Sequence, residues 1–124
     1  MSTFKIKKNF EYRLVYKKGK SFSNKYLVLY VYRNSNINTD IRYGISVSKK
    51  VGNSVVRNRI RRLIFENFRS IKDDIVNGYD LVFIARFDSK FCNYDNIAWS
   101  VKNLLERAGL FKIEKNINKN DINI

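Results

Sequence analysis

The side chains best equipped for chemistry in this chain are arginines, and they are concentrated. Residues 48–69 read SKKVGNSVVRNRIRRLIFENFR. On a helical wheel at about 100° per residue, Val56, Ile60, Leu63, Ile64 and Asn67 gather on one arc, with Phe68 at its edge. Asn58, Arg61, Arg62 and Arg69 gather on the opposite arc, with Arg57 and Arg59 at its margins. Such a helix buries one stripe and projects a row of guanidiniums, each able to hold two phosphate oxygens at once or to stack on a base. Lys49, Lys50 and the Gly52–Asn53 turn precede it, and its N-terminus adds free N–H groups and a positive dipole end. A merely solvated face is the alternative, but exposed helix faces ordinarily mix signs to form i,i+4 pairs. Here Glu66 is the sole acid between Arg42 and Arg69, against eight bases. Phe65 falls within the basic arc, where it either stacks on a base or lies under another element.

The second constellation is aromatic. In KYLVLYVY, residues 25–32, alternation sends Tyr26, Val28, Tyr30 and Tyr32 to one side and Leu27, Leu29 and Val31 to the other. The aliphatic side belongs on a core; the tyrosine side has flat rings for stacking and hydroxyls for hydrogen bonds. Tyr12 and Tyr16 stand four apart on a helix-like stretch. If that helix lies beside the strand, the two tyrosine sets either line a cleft for single-stranded nucleic acid or form a second core. Base–aromatic stacking is worth about 1–3 kcal/mol per base and tolerates any sequence. Lys17, Lys18, Lys20 and Lys25 nearby favour the cleft.

Catalysis by the chain alone is poorly provided for. It has no histidine, which closes the Ser–His and Cys–His routes to a general base at neutral pH. Ser46-Val47-Ser48-Lys49 matches the S-x-x-K of serine acylases without that class's partner motifs. Gly19-Lys20-Ser21 resembles the end of a phosphate loop, yet Leu14 stands where the first glycine belongs. Asp73, Asp74, Asp80 and Asp88 are spread through loops and strand ends, where solvation and capping account for them better than a metal. One cysteine makes neither an internal disulfide nor a zinc set, which points to a reducing compartment.

A simple scaffold can position the arginines and tyrosines. Residues 1–8 read as a basic arm. Asn9 can cap a helix over 10–18 that stops at Gly19, and a short strand is possible near 21–23. Strands are expected at 25–32, 42–47 and 80–85, and helices at 54–71 and 93–108, the last stopped by Gly109. That order indicates an α+β or α/β sandwich. The chain's 124 residues suit one domain, expected over 1–110, with 111–124 a flexible tail rich in Asn, Lys and Ile. The formal charge is +14, unevenly placed: residues 1–72 hold 18 Lys/Arg against 3 acids, and residues 73–124 hold 7 against 8. Charge this lopsided calls for a polyanion, nucleic acid first and an anionic membrane surface second. No apolar run approaches the roughly 18 residues of a membrane span, and no signal peptide is recognisable, so a cytoplasmic location without membrane insertion is expected.

Residues 48–62, with Arg57-Asn58-Arg59 at their centre, resemble the signature of the bacterial ribonuclease P protein component. Tyr12-Arg13-Leu14-Val15-Tyr16 before Gly19 is similar to that family's aromatic first helix. Arg42-Tyr43-Gly44-Ile45-Ser46-Val47 is similar to its strand into the signature, and Asp80-Leu81-Val82-Phe83-Ile84-Ala85-Arg86 to its last strand. The likeness runs in register over about residues 5–110. Ser54 replaces the family's usual alanine, and Phe65 its usual basic residue.

The resemblance implies an αβββαβα fold similar to ribosomal protein S5 domain 2: a mostly antiparallel four-stranded sheet with a left-handed βαβ crossover, against the usual hand. It implies a small subunit of an endoribonuclease in which a large catalytic RNA, holding Mg²⁺, removes 5′ leaders from precursor tRNA. No catalytic residue is then expected in the protein. Carried over position by position, Lys49, Lys50, Asn53, Arg57, Asn58, Arg59, Arg61, Arg62 and Arg69 match the face toward the catalytic RNA. Tyr12, Tyr16, Lys17, Val28 and Tyr30 match the cleft that takes the leader, where tyrosines replace phenylalanines often found in the first helix.

Overall fold

The computed structural model describes residues 4–34 and 41–113. Three helices pack on one sheet, in the order β1 (Phe4–Lys5), α1 (Asn9–Lys18), β2 (Lys20–Ser23), β3 (Leu27–Arg33), β4 (Arg42–Ser46), α2 (Ser54–Ile71), β5 (Tyr79–Ala85) and α3 (Tyr94–Arg107). Short 3₁₀ turns at Lys72–Asp74 and Phe87–Phe91 join the later elements. Apart from β1, this is the αβββαβα order. The strands lie in the sequence β1-β4-β5-β3-β2. The β2–β3 and β3–β5 pairs are antiparallel and the β4–β5 pair is parallel, so α2 is the crossover between β4 and β5.

The four expected strands gain a fifth. Phe4 and Lys5 pair in parallel with Arg42 and Tyr43, Ile6 donates its N–H to the Tyr43 carbonyl at 2.7 Å, and the Ile6 side chain is buried. The expected basic arm is therefore fastened to the sheet from Phe4 onward; residues 1–3 lie outside the described residues. A two-residue strand has too little alternation to announce itself. The other end is longer than expected too. Ile75 bridges to Phe111, and Lys112 N–H donates to the Asp74 carbonyl at 2.8 Å. The fold thus runs past residue 110, and the expected tail beyond Ile113 lies outside the described residues.

Strand alternation divides the interior in two. Leu27 and Leu29 of β3 and Leu81 and Phe83 of β5 face α2 and α3, meeting Ile60, Ile64, Phe68, Ile97, Val101 and Leu104 in the main core. Phe68 lies 5.6 Å from Phe83 and 5.7 Å from Tyr43, centroid to centroid. The opposite face carries α1 over a smaller cluster of Ile6, Val15 and Val82, with Tyr12, Tyr30, Tyr32 and Ile84 around it. The sheet therefore separates α1 from α2. Gly44 permits the approach of α1, because a Cβ there would sit 2.5 Å from the Tyr12 hydroxyl oxygen. Two turns need left-handed backbone, at Gly78 (φ 92°) and at Gly109 (φ 72°), which ends α3. Among the described residues, no helix is long and apolar enough to cross a membrane.

One ionic link ties α1 to the sheet. Arg42 donates through Nη1 to Glu11 Oε2 at 2.8 Å, and through Nε and Nη2 to the two carboxylate oxygens of Asp80 at 3.1 and 3.2 Å. Asp80, expected to be solvated, is buried instead and also accepts from Asn34 Nδ2 at 3.1 Å. Its first use is structural, since a buried carboxylate without partners is costly.

The bond from Arg42 holds the Glu11 carboxyl below its ordinary range. Its stabilisation is then complete above the unfolded carboxyl value of about 4.3, and is lost as pH falls through the lower folded value. Denaturant melts from pH 6 downward are expected to show Glu11→Gln losing less stability across that acid window than the parent chain.

Candidate nucleic-acid interface

The arginine helix begins with a cap. Asn53 Oδ1 accepts the Val56 N–H at 3.0 Å, as Asn does at helix starts; its amide stays exposed. Before it, buried Val51 anchors a tight turn, closed by its N–H on the Ser48 carbonyl at 3.1 Å, which leaves Lys49 and Lys50 exposed. These lysines lie beyond the C-terminal end of β4, beside the first turn of α2. Ile60, Ile64, Asn67 and Phe68 are the buried stripe, as the wheel predicts.

The guanidiniums of α2 have different fates. Arg62 and Arg69 are exposed, and Arg61 is half-buried. Arg61 Nη1 bonds Asn58 Oδ1 at 3.0 Å, and Arg57 Nε bonds the Gly52 carbonyl at 3.2 Å. Both bonds are to neutral oxygens, so the charges remain unneutralised. Phe65 packs on Tyr43 at 5.7 Å, with the Arg69 guanidinium 5.7 Å above its ring; of the two readings, it lies against another element. Among the described residues the ion pairs are Arg42 with Glu11 and Asp80, and Lys72 with Asp73. None involves α2's arginine row.

Arg59 is a case apart. Its Nη1 donates to the Cys92 carbonyl at 2.9 Å and its Nη2 to the Lys90 carbonyl at 2.8 Å. The fork clasps the turn after β5, where Phe87 and Phe91 stand exposed and the Lys90 ammonium sits 4.6 and 5.4 Å from their ring centroids. Sequence reasoning missed this clasp because it joins positions more than thirty residues apart.

Across the sheet, the tyrosines divide between the two readings open to the sequence. Tyr12 is half-buried over Gly44 and donates its hydroxyl to the Ile6 carbonyl at 3.2 Å, so it belongs chiefly to the smaller core. Tyr16 stands 37% exposed and meets Tyr30 edge-on at 5.1 Å. Val28 is half-buried on the same sheet face as Tyr30, and Lys17 is exposed near the end of α1. Ser21 and Ser23 of β2 register with Tyr30 and Val28 and continue that face to the sheet edge. Burial raises the Tyr12 and Tyr16 phenols above their ordinary value, so both rings stay neutral and repel no phosphate at neutral pH.

Other chemistry finds little purchase. Cys92 is buried, and burial pushes its thiol up, away from the nucleophilic thiolate. Among the described residues, no three His, Cys, Asp or Glu side chains come together to hold a metal ion. What remains is two cationic and aromatic surfaces, back to back across the sheet.

The ribonuclease P family model matches residues 2–109. The ribonuclease P protein component of Clostridium kluyveri is 61% identical over 115 residues, covering 90% of this chain and 100% of the relative. That of Clostridium novyi is 57% identical over 107 residues, covering 86% and 95%. Among solved structures, the Staphylococcus aureus RNase P protein superposes with a TM-score of 0.79 at 40% identity, over 90% of this chain and 100% of that one. The Thermotoga maritima RNase P protein gives 0.75 at 30% identity, over 83% and 96%.

The fork of Arg59 and the free guanidinium of Arg62 have separable consequences. Arg59→Lys, which keeps the charge but loses the fork, is expected to destabilise the fold by about 1–3 kcal/mol. Arg62→Ala is expected to stay within about 0.5 kcal/mol of the parent. Urea unfolding of both variants checks the contrast; equal melts would show that the clasp contributes nothing.

Proposed function

The chain belongs to the ribonuclease P protein family, and from that premise we propose that it is the protein subunit of an RNA-based endoribonuclease that removes the 5′ leader from precursor tRNA. The observation that carries the reading is the row of α2 guanidiniums without carboxylate partners among the described residues, on a chain of charge +14. Self-repulsion of this kind is relieved by a polyanion of matching shape. In this reading Lys49, Lys50, Arg57, Arg61, Arg62 and Arg69 take phosphates of the catalytic RNA. Asn53 and Arg59 act on that face mainly by holding it in place, as cap and clasp, and Asn58 steers Arg61.

The leader lies in the groove on the other side. Tyr16 and Tyr30 offer ring surface, Val28 an apolar floor and Lys17 a charge for the backbone, while Tyr12 holds α1 at the right height. Leaders vary in sequence, and a site built from stacking and charge tolerates that variation where base-edge readout would not. The protein contributes affinity and orientation. The RNA supplies the reacting groups and holds Mg²⁺, which serves to activate the attacking water and stabilise the departing oxygen. Binding leader and catalytic RNA on opposite faces lets one small domain favour precursor over product, because mature tRNA has no leader to place in the groove.

Reconstitution tests the reading directly. The protein with a ribonuclease P RNA is expected to cleave precursor tRNA at low Mg²⁺, and the protein alone is not. Failure of the mixture to process any precursor overturns it. Arg61→Ala is expected to weaken assembly with the RNA and to flatten the log–log salt dependence of binding by about one unit, the release of roughly one phosphate's counterion. Tyr16→Ala is expected to cost leader-bearing precursor about 1–3 kcal/mol of affinity and mature tRNA almost none. Equal losses for the two would return Tyr16 to a purely structural role.

A further inference from the structure

The turn after β5, Phe87–Phe91, carries more apolar surface than its folding requires. Phe87 is 54% exposed and Phe91 73%, with their ring centroids 6.4 Å apart and their planes at 78°. The backbone beneath them is pinned along its length. Arg86 donates its N–H to the Tyr26 carbonyl at 2.9 Å and its Nη1 to the Asn24 carbonyl at 2.9 Å. Fully buried Ser89 donates its Oγ to the Arg86 carbonyl at 2.6 Å. The Arg59 fork holds the carbonyls of Lys90 and Cys92, and Asn93 and Asn96 close a capping box at the start of α3. A backbone held at this many points cannot fold the rings away without breaking those bonds.

The turn packs against α2, on the side of the sheet away from α1. Arg59, which clasps it, stands between Arg57 and Arg61 in the basic row. Val55 lies one helical turn before Arg59, on the same flank of α2, and is 75% exposed. Open apolar surface is therefore found on both partners of the clasp, at the start of the basic helix. Its electrostatic setting is cationic: the Lys90 ammonium lies within 5.4 Å of both ring centroids, and Asp88 is the turn's one acid. Among the described residues neither Lys90 nor Asp88 is ion-paired.

We propose that Phe91, met edge-on by Phe87, is a stacking platform for an unpaired base of the catalytic RNA, with the Lys90 ammonium placed for the adjoining phosphate. The inference rests on the functional reading above and adds to its α2 face a contact that charge alone does not make. A ring beside a cation is the recognition chemistry of an unpaired nucleotide, stacked on its face and held by its backbone. An apolar protein surface would cover the rings but strip Lys90 of water without supplying a counter-charge. The functional reading puts the leader across the sheet, against Tyr16 and Tyr30, so a base at this turn belongs to the catalytic RNA. Arg59 is then a positioning residue, which fixes the platform relative to the phosphate-binding row.

The test measures binding of the protein to a ribonuclease P RNA with no tRNA present, across a salt series. Phe91→Leu keeps apolar bulk but removes the flat face. It is expected to lose about ten-fold in affinity while keeping the parent's salt slope, because stacking releases no counterion. Phe91→Trp restores a flat ring and is expected to bind at least as tightly as the parent. Lys90→Gln is expected to lose affinity and to flatten the slope by about one unit. Phe91 is largely exposed, so both of its variants are expected to melt with the parent. Parent-like binding by Phe91→Leu, an equal loss in Phe91→Leu and Phe91→Trp, or a loss seen only with leader-bearing precursor overturns the proposal. A parent protein that neither binds the RNA nor supports its cleavage of precursor tRNA overturns the functional reading, and this site with it.

Discussion

Arg42 held between Glu11 and Asp80 is the constraint from which the arrangement follows. The chain carries many more cations than acids, and here two of its scarce carboxylates converge on one guanidinium. The link spans three elements, from α1 through β4 to β5. It helps fix α1 over β5 and β3, where Val15 packs on Val82, Tyr12 lies over Gly44 and Tyr16 meets Tyr30. With Glu11 and Asp80 engaged there, the cations of α2 remain free to find their counter-charge outside the protein.

The sheet also separates two surfaces whose residues the sequence places next to each other. Residues 42–69 run without a break from the strand to the arginine helix, yet α2 lies on the face opposite α1. The guanidinium row and the tyrosine face are therefore not neighbours on one surface but opposite sides of a partition. Their shared boundary is a rigid layer whose interior is packed by Phe68, Phe83 and Tyr43. Contacts on one side need not be rearranged to make contacts on the other, which suits the proposed binding of two polynucleotides.

Much of this was legible in the residues, for identifiable reasons. The helical period of residues 54–71 is unmistakable because apolar and basic positions separate cleanly, and the buried stripe matches the wheel. The alternation of β3 correctly divided Leu27 and Leu29 from Tyr30 and Tyr32. Features set by tertiary contact were not legible. Asp80 looked like an ordinary strand-end acid because its partner, Arg42, is 38 residues away. Arg59 looked like its neighbours, although its position on the helix margin turns it toward the carbonyls of Lys90 and Cys92. Tyr12 and Tyr16 looked equivalent by spacing, but only one of them meets a glycine across the interface. The first strand was too short to carry any pattern. In each case the missing information was which distant backbone or charge would come within a few ångströms.

Because β3 faces both ways, its two sets of side chains are locked in phase. Odd positions such as Leu29 face the main core and even positions such as Tyr30 face α1, with every residue from Leu27 to Arg33 registered on β5. Inserting or deleting a single residue there would exchange the sets, sending aliphatics to water and phenols inward. Stability and the proposed leader contact would fail together, with no intermediate length preserving either one. This strand can therefore diversify only by exchanging one side chain for another, and changes in length must be absorbed by the connections at its ends.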